Sequence, residues 1–506
     1  MAIRKVLGVE TEFGIMHRGA GESNPIAASS MLINAYVSSL ARATGGAAPS
    51  VEFDLEDEHP GHDARGYSVG EPAGAPSEVE THLVNAVLTN GARYYVDHAH
   101  PELSTPECSD ARQVVVWDRA AERILQASMA AASTLLPEGQ EIVVHKNNSD
   151  GKGNSYGCHE NYLMDRSVPF GRVVAGITPF FVTRQIMVGA GKVGCEATGV
   201  SSREVPFQIS QRADFFEEEV GLETTLKRPI VNTRDEPHCD AQKYRRLHVI
   251  LGDANLSEVC TFLKVGTTAL VLSLIEDDEL PARELALAAP VPALRRVSWD
   301  LSLSQPLEMA DGSKMTALEI QWEYLDAAKK YAESHGLSSV GESVGAEVLA
   351  RWESTLAALE SDPMSLSSTV DWIAKKKLYE GYMERHGVDW TDGRLAALDL
   401  QYHDLRPSKS LAARVGLERL TTDEEVEAAM TTPPETTRAW FRGTCLSRWA
   451  SSIVAANWDS LVFDVGGDPL RRVPMMEPLR GTADMLRELV DSCRTPAELI
   501  ERLGAS

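Results

Sequence analysis

The chain predicts an α+β fold, with a large domain whose strands line a polar surface in front of packed helices and a small C-terminal α/β domain. Three observations carry this. Its 506 residues exceed what one hydrophobic core usually spans. Hydrophobic residues at 43% and charged residues at 24% are ordinary globular usage, sufficient for a large core. Four short stretches each place two chemically capable residues at i and i+2: Glu10 and Glu12, Tyr95 and Asp97, His159 and Asn161, Arg246 and His248. A β-strand alternates its faces, so each pair points one way and four strands can share one surface.

In chain order, residues 3–15 read as a strand running into a turn at Gly14, and 27–43 as a helix. Residues 44–76 are rich in Gly, Pro and acid with almost no periodicity, and a loop of this length inside a compact domain is usually functional or disordered. From the residues alone, a flexible gating loop and a passive insertion weigh equally. Residues 78–88 look helical, 92–96 form a strand, 111–136 a long amphipathic helix and 141–145 another strand. The turn formers of 145–157 make a loop beside the strand HENYLM. Residues 248–251 continue as a strand and 257–276 as a buried helix, since no window approaches the roughly 18 uncharged apolar residues of a membrane span. Residues 315–335, 344–359 and 368–385 are helical in pattern, with Trp322 and Trp372 on apolar faces. A boundary near 407–422 divides the chain into domains 1–415 and 416–506, the second carrying a helix at 434–449, a strand at 457–463 and a terminal helix.

Acidic residues outnumber basic ones by 74 to 49, and the net charge of −25 opposes nonspecific binding to nucleic acid or anionic membrane, so neither is expected as a partner. The N-terminus lacks the apolar run of a signal peptide. Seven scattered cysteines without CxxC read as reduced thiols of a cytoplasmic protein.

Glu10 and Glu12 share one face of a strand, where like charges are costly unless a cation compensates them; an edge strand with solvated acids is the alternative. Asp97 sits in a segment that also supplies Tyr95, His98, His100 and Glu102, and a carboxylate beside metal ligands serves as nucleophile or general base. A hydrogen-bonded aspartate at a strand end is equally consistent. His159 and His248 each have a polar partner two residues away, and Arg246 offers a planar fork to phosphate or carboxylate. Arg212 and Arg234 are further candidates, although either alone reads as a surface salt bridge. DGKGNSYG lacks the GxxxxGK[ST] spacing. Divalent metal with phosphate is the first chemistry the set suggests.

GVETEFGI, NGARYYVDHAHPE, KNNSDGKGNSYGCHENYLM, SQRADF, RPIVNTRDEPHCDAQKYRRLHVILGDANLSE, DLQYHD and ANWDSLVFD together resemble the Pup ligase and depupylase family, relatives of the carboxylate-amine ligases that include glutamine synthetase. Within it, SNPIAAS from Ser23, the long 44–76 insert and the spelling VDHAHPE resemble the depupylase and deamidase branch rather than the ligase branch. The resemblance implies a glutamine synthetase-like curved antiparallel β-sheet packed by helices, with nucleotide at one end and the Pup C-terminus entering from the other. It implies magnesium at Glu10, Tyr95, Glu102, His159 and His248, with Glu12 on the same strand face, and Asp97 as the catalytic aspartate. Ser104, Thr105, Asn161, Arg246 and Trp458 match nucleotide positions, and Arg212 and Arg234 match arginines near the phosphates and the reacting carboxyl. Leu103 and Cys239 replace the tyrosine and alanine usual at their positions, and the leucine removes one polar contact expected near Glu102. The implied activity is ATP- and Mg2+-dependent hydrolysis of the isopeptide bond between the C-terminal glutamate of Pup and a substrate lysine, with deamidation of Pup ending in glutamine. Pup and pupylated proteins are the implied partners and a monomer the implied state. A ligase of the same family and a non-catalytic Pup- and nucleotide-binding protein are the alternatives.

Overall fold

The computed structural model describes residues 1–21, 24–44, 50–55, 58–68, 84–467 and 469–504. Alternation governs the site strands. In β1 (Leu7–Glu12), Leu7, Val9 and Thr11 are buried while Glu10 and Glu12 lie on the more open face. The following strands are β2 (Gly14–Arg18), β3 (Ser50–Glu52), β4 (Asn85–Leu88), β5 (Arg93–Asp97), β6 (His100–Ser104), β7 (Glu141–His145), β8 (Cys158–Asp165), β9 (Phe216–Gly221), β10 (Arg228–Asn232) and β11 (Tyr244–Val249). Seven of them form one sheet in the order β11-β8-β1-β6-β5-β4-β3, and every neighbouring pair is antiparallel.

Register then brings distant residues opposite one another: Glu10 faces His159 and Ser104, Glu12 faces Glu102, Tyr95 faces Glu102, and His248 faces Asn161. Like charges directly opposite on a sheet destabilise it, so the Glu12 and Glu102 pair already points to a missing counter-charge.

Helices cover the apolar face. Those used below are α1 (Pro25–Thr44), α2 (Ala111–Ser133), α3 (Phe170–Val188), α4 (Glu258–Asp277), α5 (Ala317–His335), α6 (Glu342–Ser361), α7 (Asp371–His386), α8 (Asp423–Ala429) and α9 (Ala439–Trp449). Leu7, Val9, Tyr162 and Leu247 pack on α3 and α4, while Tyr94, Val96 and Leu103 pack on α1 and α2. The most apolar window of α4 is long enough to cross a membrane but is buried in its entirety, as a core helix. Ser257 caps it by accepting from the Cys260 amide.

Several sequence expectations change. Gly14 opens β2, which pairs with β7, instead of ending a strand in a turn. The expected helix at 78–88 is a strand over Asn85–Leu88, and 78–83 lie outside the described residues. Pairing with β5 on one side and β3 on the other overrides its local preference. The insert at 44–76 contributes β3 to the sheet edge and buries Phe53, because Val51 and Phe53 alternate with polar neighbours. The Phe53 amide donates to the Asn85 carbonyl.

The C-terminal part holds a three-stranded antiparallel sheet of β12 (Ile453–Ala456), β13 (Ser460–Phe463) and β14 (Arg471–Pro474), backed by α9. Its core joins Trp440, Phe441, Leu461 and Phe463 to Phe53 and Val87 of the large sheet's edge. Within 416–506, α8 lies on α2, where Val426 and Ala429 meet Val116 and Ala120.

Candidate active site

On the open face of the sheet the donors separate into two triads. In one, Glu10, His159 and His248 bring ligand atoms within 4.8 Å of one another; in the other, Glu12, Asp97 and Glu102 do the same. Of the implied magnesium positions, Glu10, His159 and His248 thus fall in one group, and Glu12 and Glu102 in the other with Asp97.

Asn161 organises the first triad. Its Nδ2 donates to Glu10 Oε1 at 2.7 Å, and its Oδ1 accepts from Arg246 Nη1 at 2.8 Å and from His248 Nδ1 at 2.9 Å. The last bond requires the Nδ1–H tautomer and leaves the Nε2 lone pair of His248 for a cation, the second-shell arrangement usual for ligating histidines. Burial raises the Glu10 carboxyl, but the hydrogen bond from His159 and the charge of Arg246 outweigh it and hold Glu10 well below the usual carboxylate range. Burial and the neighbouring Arg246 keep His248 neutral.

Carboxylates dominate the second triad. Burial, and then Asp97, Glu12 and Glu10, push the Glu102 carboxyl well above its ordinary value, against a hydrogen bond from Tyr95. Among the described residues no Lys or Arg ion pair reaches Glu12, Asp97 or Glu102; histidines attend two of them. Three carboxylates on one face fit a hard divalent cation with oxygen ligands. Asp97 itself is half-exposed: burial raises it, but the His98 hydrogen bond at 2.9 Å and the charge of that ring hold its carboxyl below the usual range. His98 reaches back from a positive φ of 51° at the turn between β5 and β6, an uncommon conformation for a non-glycine residue.

Gly157 is required by close approach. Its amide donates to Glu12 Oε1 at 3.0 Å, and a Cβ there would lie 2.3 Å from His159 Nε2 and 2.8 Å from Glu12 Oε1. The glycine-dense loop before β8 thus ends on a residue that touches both triads.

Ser104, Thr105, Asn161, Arg246 and Trp458 line one cavity together with Arg438. An aromatic ring, two hydroxyls and guanidinium groups on one wall, next to Glu10, suit a nucleotide whose phosphates approach the triads. Arg212 is buried elsewhere, under the 145–157 loop, where it donates to the Tyr156 carbonyl. Burial and the adjacent Arg228 push its guanidinium down to about 10. Arg234 follows β10 beside Arg246 and His248. Among the described residues the Nε donors of Arg212 and Arg234 are both buried without a partner, which fits an anionic ligand.

Sequence reasoning missed Arg93, whose guanidinium lies 3.9 Å from the Phe53 ring and 4.0 Å from that of Tyr95. Its signal was present, since Arg93, Tyr95 and Asp97 extend the i, i+2 series by one. His100 also joins the site, 3.6 Å from Glu12, with its ring centroid 4.5 Å from that of Tyr156 and the two planes tilted by 31°.

Beneath this surface, the residues of opposite parity hold the strand. Glu160, between His159 and Asn161, receives both Nη atoms of Arg184 at 2.6 and 2.8 Å and the Tyr162 hydroxyl at 2.6 Å, all buried. Removing one member of such a pair typically costs about 3–5 kcal/mol, because the other is left as an unpaired buried charge.

The model of the Pup-ligase protein family matches residues 5–462. The chain is 50% identical to a depupylase of Acidothermus cellulolyticus, with 99% of each chain covered, and 47% identical to a Pup deamidase/depupylase of Mycolicibacterium smegmatis, covering 99% of this chain and all of that one. Among solved structures, the complex of the prokaryotic ubiquitin-like protein Pup with its ligase PafA superposes at a TM-score of 0.78, with 31% identity over 99% of this chain and 94% of that one. PafA in complex with ADP superposes at 0.72, with 37% identity over 80% and 89% of the two chains. The antiparallel sheet, its covering helices and the full-length matches place this chain in the Pup-ligase protein family.

Proposed function

We propose that the chain is a depupylase and Pup deamidase, which hydrolyses the isopeptide bond between the terminal glutamate of Pup and a lysine and converts a terminal glutamine of Pup to glutamate. The observation that carries the chemistry is the ionised, half-exposed Asp97 within a triad of carboxylates, next to the Glu10, His159 and His248 triad and an aromatic-walled cavity. The direction of the reaction is supported by 50% identity to a depupylase across 99% of the chain, against 43% over 81% of it to a Pup–protein ligase of Kineococcus radiotolerans.

Mg2+ fits both triads, Glu12, Asp97 and Glu102 through oxygen alone and Glu10, His159 and His248 through mixed donors. Bound there, the cation supplies positive charge to phosphates and to a developing oxyanion. ATP fits the cavity at Trp458, with Ser104, Thr105, Asn161 and Arg246 toward its polar part. Arg212 and Arg234 offer their unpartnered donors to the phosphate and carboxyl groups of nucleotide and Pup. Asp97 acts on the side-chain carbonyl of the terminal residue, either by direct attack or by taking a proton from water. By direct attack Asp97 forms an anhydride as the C–N bond breaks, and water then cleaves the anhydride to free Asp97 and the glutamate carboxyl; through water, Asp97 takes a proton as the water oxygen adds to the carbonyl carbon and the C–N bond breaks. In both routes the departing amine or ammonia takes up a proton. Hydrolysis is downhill, so the nucleotide organises the site without being consumed at each turnover. The seven free cysteines, six of them buried, support a reducing, cytoplasmic setting, and we read the active unit as a monomer.

The test is a paired assay on a pupylated protein and on Pup ending in glutamine, with and without ATP and Mg2+. Loss of conjugate and release of ammonia, each needing both cofactors, are expected. Accumulation of conjugate from Pup ending in glutamate would assign the ligase reaction, and binding of Pup without turnover would assign a non-catalytic role.

A further inference from the structure

Glu107 lies two residues beyond Thr105, at the edge of the aromatic-walled cavity, and has no part in the metal triads. Its carboxylate receives two arginines of the small domain. Arg438 Nε donates to Oε1 at 2.8 Å, and Arg442, one turn further along, donates to both oxygens, at 3.2 Å to Oε1 and more closely to Oε2. Arg442 is fully buried and has two further partners, the Trp458 carbonyl at 2.9 Å and the Gly91 carbonyl at 3.0 Å, and its guanidinium lies 5.2 Å from the Trp458 ring. Arg438 also donates to the Met475 carbonyl at 2.8 Å, and Thr437 Oγ1 donates to the Glu107 carbonyl at 2.7 Å.

Steric fit makes this contact specific. A Cβ at Gly443 would lie 2.1 Å from the Thr89 carbonyl, so α9 seats directly on the turn between β4 and β5. One carboxylate of the large domain thereby fixes both the helix and the aromatic wall that it carries.

We propose that Glu107 is a positioning residue for the nucleotide: through Arg442 and Arg438 it sets the place of Trp458 against the cavity floor of Ser104 and Thr105. It acts on binding of the nucleotide and not on cleavage, because the clamp touches neither Asp97 nor the triads. The inference rests on reading the cavity as a nucleotide site.

The experiment compares the full-length protein with Glu107→Gln, which keeps the shape and removes the charge, and Glu107→Asp, which keeps the charge on a shorter stem. ATP affinity is measured calorimetrically, and KM for ATP, KM for pupylated substrate and kcat are measured at saturating Mg2+. For Glu107→Gln, Kd and KM for ATP rise at least tenfold while KM for the pupylated substrate and kcat at saturating ATP stay within threefold; Glu107→Asp falls between the variant and the parent. An unchanged ATP Kd in Glu107→Gln overturns the proposal, and so does an equal loss in both KM values and kcat. If the parent protein binds no ATP, the nucleotide reading of the cavity fails instead. If Glu107→Gln does not fold, Arg442→Lys, which keeps the charge but cannot span Glu107 and Trp458 together, carries the same expectation, and an unchanged ATP Kd there overturns the proposal.

Discussion

Replacing Glu102 by glutamine tests the cation site by a reversal of sign. In the folded protein Glu102 faces Glu12 and Asp97 with ligand oxygens within 4.8 Å. At an effective dielectric of about 20, the Glu102 and Glu12 carboxylates, opposite one another in register, repel by ~3 kcal/mol, while the half-exposed Asp97 is screened by water. Without a cation, the folded state meets this by holding a proton on Glu102, whose carboxyl burial and the neighbouring acids push well above its ordinary value. The unfolded chain releases that proton in the usual carboxylate range, so the penalty is absent at low pH and grows as pH rises above it. In EDTA, Glu102→Gln is therefore more stable than the parent, and its advantage widens with pH toward ~3 kcal/mol. Unfolding entropy of roughly 2.1 cal/mol/K per residue makes this about 3 °C in Tm for a chain of 506 residues. With Mg2+ the order reverses. At a thousand times Kd the parent gains about 4.1 kcal/mol, more than that advantage, and the variant gains much less. Thermal melts from pH 6 to 9, with EDTA and with Mg2+, measure both. A variant that is less stable in EDTA and gains as much from Mg2+ as the parent does would refute the reasoning.

Three further outcomes are expected. Asp97→Asn lowers cleavage by about 10²–10⁴-fold while ATP affinity stays within threefold, and single turnover of the parent in H2(18)O distinguishes the routes, since label enters the Asp97 carboxyl only after direct attack. Gly157→Ala places a methyl group against the movable ends of His159 and Glu12, so Mg2+ affinity falls about 10–100-fold by titration while Tm changes little. Phe53→Ala removes a ring that is 4% exposed and lies 5.8 Å from that of Trp458, costing about 3–5 kcal/mol in denaturant unfolding and weakening ATP binding.

The site was legible where chemistry followed strand parity. Glu10, Glu12, Tyr95, Asp97, His159 and Asn161 all lie on the face that alternation assigns them, because β1, β5 and β8 bury every second residue at their site ends. Division into two triads was not legible, since it depends on register between strands about 90 to 150 residues apart. α3 escaped because FGRVVAGITPFFVTRQIMV is apolar on nearly every side and contains Pro179, so no helical period stands out. β3 escaped because three residues amid Gly, Pro and acid carry too little pattern. The clamp of Glu107 on Arg438 and Arg442 joins residues more than 300 positions apart, and only folding brings it together.

The pairing of Glu160 with Arg184 beneath β8 has a consequence for how this protein tolerates variation. Neighbouring residues of one strand answer to different demands, since His159 and Asn161 face the reaction while Cys158, Glu160 and Tyr162 face the core. A library covering 158–162 would divide with a period of two. Changes at 159 and 161 leave soluble, well-expressed protein without turnover, and changes at 158, 160 and 162 lower the yield of folded protein while the molecules that do fold keep their activity.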